Sequence, residues 1–285
     1  MDFQYQFVIV MIKMNKLLIL VQNKSLIKKV KEVDKATFLF PLEGYSVGYP
    51  QTFKIDEIDE YGAYILINRL LDESSITSLK KIIDNFPKNI KGIVFEDLGL
   101  INLIKDLDVT KILWQSHLNA SYLSVNGFLK YVDSVMMSTD ITIDEIKLIL
   151  SKADKPLVLP VFGYIPVMYS RRYLITNFNI NYDEQVSNPN IIKEEVLKDE
   201  FRIFENEYGT VLYSNKLYNG KQLKNYESLF YFINSVFISD EEIINFITNK
   251  ELNTEYDEGF LNKKTIYKLK DGDKWWLNYL LQLEI

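Results

Sequence analysis

The chain has 285 residues, 47% of them hydrophobic and 25% charged, with a formal net charge of −6 and no cysteine. That length and apolar content suit one large α/β domain or two smaller ones, and 17 Phe with 19 Tyr argue against disorder. The missing cysteines exclude disulfides, thiolate nucleophiles, zinc–thiolate sites and cysteine-ligated iron–sulfur clusters, while the acidic balance means that a nucleic-acid role needs a local basic patch.

In chain order, the apolar run Phe7 to Ile12 is too short to span a bilayer and follows Asp2 rather than a basic leader. A start at Met14 would lead directly into a strand, so residues 1–13 read as an upstream extension of the reading frame of a cytoplasmic protein. Leu17 to Val21 is a strand, and Ser25 to Val33 a helix with Leu26, Ile27 and Val30 inward. Ala36 to Leu42 and Tyr64 to Ile67 are further strands. Ser75 to Phe86 is helical, Gly92 to Phe95 a strand, Ile101 to Leu107 helical, Ile112 to Trp114 a strand, Ser121 to Tyr131 helical and Val135 to Met137 a strand. Thr142 caps a helix running through Leu150, with Glu145 as its capping-box partner, and Leu157 to Phe162 is the next strand.

Strand and helix alternate about every 20–25 residues, with strands apolar on both faces, which predicts a parallel sheet. Gln22 to Ser25, after the first strand, contains no glycine, so a dinucleotide fold is disfavoured against a closed barrel. The prediction is therefore an α/β TIM-barrel-like parallel (β/α) barrel over residues 14–250, with a small β-rich tail over 251–285. Past Asn177 the pattern reads as polar and charged connections with a hairpin near Gly209 to Tyr213, then a helix from Tyr226 to Ile233 and a strand from Val236 to Ile238.

Polar residues gather just after the predicted strands: Glu43, Asn68 and Arg69, Glu96 and Asp97, Gln115 to His117, Ser138 and Asp140. In a parallel barrel these converge on the C-terminal rim, where active sites lie. The candidate catalytic residues are Asp97, Ser116, His117 and Asp140, with Glu43, Asn68, Arg69, Ser170, Arg171 and Arg172 as substrate-binding candidates. His117 is the sole histidine, so any serine triad must use it; Ser116 beside it on one strand end points to the opposite face. Metal ligation would fall to carboxylates alone, Glu43, Glu96, Asp97 and Asp140, and no metal or other cofactor is expected.

Val161 to Phe178 contains Gly163, Pro166, Met168, Ser170 and Arg172 in the pattern G-x-x-P-x-M-x-S-x-R. This resembles the signature of peptidase family U32, the collagenase-like proteases. Gly209-Thr210, with Glu205 and Glu207 before and Ser214 after, is similar to that family's E-x-x-G-T-x-x-x-S element. Ser138 to Glu145 is similar to its S-R-E-L-(S/T)-x-x-E, with Thr139 and Asp140 in place of Arg and Glu, and Gly259 to Thr265 is similar to a tail element of some members. The resemblance, over roughly residues 16–270, implies a barrel-like fold in a group that includes collagen-degrading peptidases, uridine 5-hydroxylation proteins of tRNA or ribosomal RNA, and ubiquinone hydroxylation proteins. Many members bind an iron–sulfur cluster through cysteines, one just after the serine–arginine motif, where this chain has Tyr173. The resemblance therefore points to the cysteine-free branch acting in tRNA wobble-uridine hydroxylation. The partner is then tRNA or an anionic small molecule gripped by Arg171 and Arg172. A peptidase, or a non-catalytic subunit of a second family member, are the other readings.

With no cysteine in the chain, protein purified under strict anaerobiosis should show no visible iron–sulfur absorbance; a stoichiometric cluster would overturn this reading.

Overall fold

The computed structural model describes residues 16–115, 118–183, 185–193 and 200–263. The proposed extension over 1–13, Ser116 and His117 lie outside them, as does the tail from residue 264.

The first part of the chain runs β1 (Leu17–Leu20), α1 (Lys24–Val33), β2 (Ala36–Pro41), β3 (Ala63–Ile67), α2 (Glu73–Ile83), β4 (Ile90–Phe95), α3 (Leu100–Ile104), β5 (Thr110–Trp114), α4 (Tyr122–Leu129), β6 (Ser134–Met136), α5 (Ile143–Lys152) and β7 (Val158–Gly163). An excursion follows: β8 (Pro166–Ser170), α6 (Leu174–Tyr182), β9 (Asn190–Lys193), β10 (Glu200–Asn206), β11 (Gly209–Tyr213) and β12 (Leu217–Asn219). The chain then returns with β13 (Phe230–Asn234), α7 (Asp240–Ile247) and β14 (Tyr256–Asp257), the last being the one strand of the expected tail among the described residues.

Strands β1 to β7 pair in parallel in sequence order, and β13 closes the circle between β7 and β1, giving an eight-stranded parallel barrel. Its strands bury both faces: Leu18, Ile19 and Leu20 of β1 and Ile65, Leu66 and Ile67 of β3 are all shut from solvent. Such strands read as continuous apolar runs because helices cover the outside and side chains fill the inside. The helices present narrow apolar stripes to the barrel, Leu26 and Val30 in α1 and Ile146 and Ile149 in α5. Their starts are fixed by side-chain caps at Asn23, Asp72, Ser121, Thr142 and Ser239. The predicted capping box forms as expected, with Thr142 N donating to Glu145 Oε2 at 2.7 Å and Glu145 N to Thr142 Oγ1 at 3.3 Å.

The excursion departs from the sequence reading. Residues 166–170 of the motif-bearing segment form a strand, and the polar stretch after Asn177 continues α6 to Tyr182. The charged segment ending near Glu207 contains β10. Strands β8-β11-β10-β9 form a separate antiparallel sheet. The predicted helix from Tyr226 to Ile233 is instead β13, and Val236 to Ile238 is no strand. Periodicity cannot separate a short buried helix from a buried strand, and Phe230-Tyr231-Phe232-Ile233 is aromatic and β-branched, as a strand prefers.

Barrel closure is tied by polar contacts as well as strand pairing. Ser235 Oγ donates to the Leu20 carbonyl at 2.6 Å, and Asp240 at the start of α7 accepts from Asn23, Ser25 and Lys29 around the start of α1. At the other side of β13, Gly163 has φ +129°, and a Cβ there would overlap the backbone carbonyl of Asn234. Gly62 also has positive φ, +80°, but nothing lies within 4 Å of its Cβ position. Gly62→Ala should therefore cost only the backbone term, about 1–2 kcal/mol, whereas Gly163→Ala should cost about 3 kcal/mol or more because the β7–β13 seam must part. Urea unfolding measures both; equal losses would mean that the seam tolerates the side chain.

Candidate functional site

The antiparallel sheet sits on the C-terminal mouth of the barrel. Tyr213 of β11 is 1% exposed and donates its hydroxyl to the Gly48 carbonyl, in the segment after β2, at 2.5 Å. Gly48 has φ +90°, and a Cβ would stand 2.5 Å from the Tyr213 hydroxyl and 2.9 Å from Val211, so only glycine admits this approach. A second tie runs from Arg69, after β3, whose guanidinium lies 4.3 Å from the ring of Tyr208 in the β10–β11 turn. Arg69 also donates to the Gly44 carbonyl at 2.6 Å and to Ser75 Oγ at 2.5 Å.

Between sheet and barrel lies a cavity of about 130 Å³ lined by Val47, Tyr49, Asn68 and Glu96 from the barrel side and Pro166, Met168, Tyr169, Val211 and Tyr213 from the sheet. Glu96, directly after β4, is its ionisable carboxyl. Burial without a countercharge raises its pKa to about 8, so it is a neutral acid at physiological pH. The same desolvation pushes the hydroxyls of Tyr49 and Tyr213 upward, so both stay protonated. Most other polar lining groups are already committed. Asn68 brackets Val47, accepting from its amide at 3.0 Å and donating to its carbonyl at 3.1 Å, and the Tyr169 hydroxyl donates to the Tyr208 carbonyl at 3.1 Å. A ligand therefore meets a protonated carboxyl, the neighbouring Tyr49 hydroxyl and an otherwise aromatic and apolar wall, which suits a small neutral group bearing a carbonyl.

Of the rim residues named from the strand ends, Asn68 and Glu96 line this cavity, Asp97 and Asp140 do not, and Ser116 is outside the described residues. Adjacent residues at a strand end point to opposite sides, so Glu96 enters the cavity while Asp97 turns outward. Asp97 Oδ1 accepts the Gly99 amide at 2.8 Å, fixing the turn into α3. The backbone amide of Asp140 donates to the buried Ser138 hydroxyl at 3.1 Å. Glu43 lies apart, on an open polar cleft shared with Ser74, Ser75, Ser78 and Glu207. Ser170 ends β8 and accepts the Arg172 amide at 3.1 Å, and Arg171 and Arg172 are exposed in the turn that follows.

The rim reading groups Glu96 with its neighbour and does not single it out. The distinguishing signal, burial under the sheet, depends on long-range packing. The family's cysteine-held cluster does not fit this site: no cysteine exists in the chain, Tyr173 stands at the position after the serine–arginine motif, and no group of three or more His, Asp or Glu suited to a metal occurs among the described residues.

The sequence matches the model of peptidase family U32 over residues 52–187. No curated protein matches the chain in sequence. Among solved structures, the U32 peptidase Mk0906 is 13% identical, covering 78% of this chain and 92% of that one, with a TM-score of 0.51. The C-terminal domain of a candidate chitinase from Desulfitobacterium hafniense DCB-2 is 9% identical over 82% of this chain and 99% of that one, but its TM-score of 0.38 carries no argument. The match to the peptidase family U32 model spans just under half of the chain, and the likeness to Mk0906 shows the same barrel fold over most of its length.

Proposed function

We propose that this protein acts in the cytoplasm on RNA, in wobble-uridine 5-hydroxylation of tRNA, with one extruded pyrimidine held in the Glu96 cavity. The observation that carries the reading is a neutral carboxyl in a small, sheet-covered cavity with aromatic walls. Chemistry on a base takes that base out of its stack into such a pocket, where it is held by stacking and by hydrogen bonds to its polar edge. Protonated Glu96 donates to a uracil carbonyl, and Met168, Tyr169 and Val211 face the ring. Replacing the C5 hydrogen by hydroxyl is a two-electron oxidation that also moves protons at the ring. Glu96, with its pKa near working pH, supplies the proton transfer, and an oxidising co-substrate supplies the oxygen and accepts the electrons.

The peptidase reading takes its support from the family and from the neighbour's name. Hydrolysis of a polypeptide needs an open cleft and an activated nucleophile. The cavity is small, walled on one side by β8 and β11, and offers a single carboxyl, which favours a single ring over a peptide segment.

Nucleoside mass spectrometry of tRNA from a deletion strain should show 5-hydroxyuridine lost, restored by the wild-type gene and not by Glu96→Gln; an unchanged nucleoside profile in the deletion strain would remove this function. Stability gives a separate check on the site. Because the folded-state pKa of Glu96 is raised from 4.5 to about 8, the folded state keeps a proton that the unfolded chain has released, so wild-type stability falls as pH rises through that window. Glu96→Gln should therefore gain in thermal midpoint relative to wild type between pH 4.5 and about 8 and run parallel to it below. A constant offset across that range would show that Glu96 is ionised in the folded protein.

A further inference from the structure

Two motifs that the cavity does not absorb, Ser170-Arg171-Arg172 and Glu205 with Gly209-Thr210, meet at one turn. Glu205 of β10 is 7% exposed and receives the amides of Ile175 at 2.8 Å and Thr176 at 3.2 Å, together with the Thr176 hydroxyl. It thus caps α6 from a distant strand, where the Ncap residue Tyr173 supplies no side-chain bond. Thr210, fully buried, accepts the Leu174 amide at 3.0 Å, and its single hydrogen is shared between the Arg172 carbonyl at 2.7 Å and Glu205 Oε2 at 3.0 Å. Gly209, at φ +134°, leaves room for the turn: a Cβ there would overlap the Ser170 carbonyl and come within 3.1 Å of Arg171 Cα. The Tyr173 hydroxyl is tied to the Glu207 carbonyl at 2.8 Å. The backbone from Ser170 to Thr176 is therefore held at almost every residue.

What this scaffold presents is two exposed guanidiniums. Among the described residues no carboxylate forms an ion pair with Arg171 or Arg172. The pair follows β8, whose Met168 and Tyr169 line the Glu96 cavity, and the charge of Arg171 acts on the Tyr169 hydroxyl. A rigid backbone under unpaired arginines lowers the ordering cost of binding an anion, and the guanidinium fork matches phosphate. We infer that Glu205, Gly209 and Thr210 are positioning residues that preset Arg171 and Arg172 as a contact for the phosphates of an RNA strand whose base enters the Glu96 cavity. This rests on the RNA reading above. With a net charge of −6, phosphate binding needs a local basic contact of this kind.

The test measures affinity of the full chain for a short RNA stem–loop with uridines in its loop, as a function of salt. Arg171→Ala with Arg172→Ala should weaken binding about tenfold and reduce the slope of log affinity against log salt by about 1.4, the value for two phosphates on a single strand. Thr210→Val should weaken binding about threefold to tenfold and lower the slope by about 0.7, with Thr210→Ser restoring both. A purely structural role would lower the thermal midpoint without moving the slope. Glu205→Gln, which keeps the side-chain shape, serves as the second variant if Thr210→Val does not fold, and should also lower the slope. Absence of RNA binding by the wild type, or binding of polyglutamate in its place, would sink the RNA reading and this inference together. Loss of binding on removing the arginines, with unchanged slopes for Thr210→Val and Glu205→Gln, would sink the positioning role alone.

Discussion

Desolvation raises the pKa of the Glu96 carboxyl to about 8, and the cavity in which it sits has one wall from the barrel and one from the sheet lying on its mouth. The sheet is held by the Tyr213 hydroxyl on the Gly48 carbonyl and by Arg69 under Tyr208. The chemistry proposed for the cavity therefore depends on docking between two units built by different rules, a parallel barrel with no free edges and a small antiparallel sheet with two.

The same docking explains why glycine recurs where backbones meet. Gly48 lets Tyr213 and Val211 approach the barrel, and Gly209 lets β11 pass against the turn after β8. Neither belongs to the cavity lining, yet each sets a distance on which the lining depends. The sheet carries both a wall of the cavity, through Met168, Tyr169 and Val211, and the exposed arginines beyond it. In the proposed function, the arginines and one wall of the cavity are therefore carried by the same sheet.

Much of the barrel was legible in the sequence because its signal is local. Continuous apolar strands, apolar stripes on the helices and the Thr142–Glu145 box each need only a few neighbouring residues, and seven of the eight barrel strands follow from them. The eighth was misread because Tyr226 to Ile233 carries no periodicity that separates a strand from a helix, and only the vacancy between β7 and β1 decides it. The inserted sheet was hidden for a related reason. The start of α6 is capped by Glu205, some thirty residues later, so no local cap marks it. The site was half legible: the strand-end rule found the rim, and Asn68 and Glu96 with it, but which of Glu96 and Asp97 faces inward depends on the exact residue at which β4 ends.

The position of the insertion also bears on how the chain is made. β1 pairs on one side with β2 and on the other with β13, Leu17 lying opposite Tyr231, so the first strand waits for a partner more than two hundred residues downstream. At ribosomal rates of about 5–20 residues per second, that interval is on the order of 10–40 s, during which β2 to β7 and the whole antiparallel sheet emerge before the ring can close. Until β13 emerges, the side of β1 that it pairs with in the finished barrel has no partner strand. Closure is then a late event in biogenesis, and the sheet that later shields Glu96 is available beforehand to occupy the mouth of a barrel that is still unsealed.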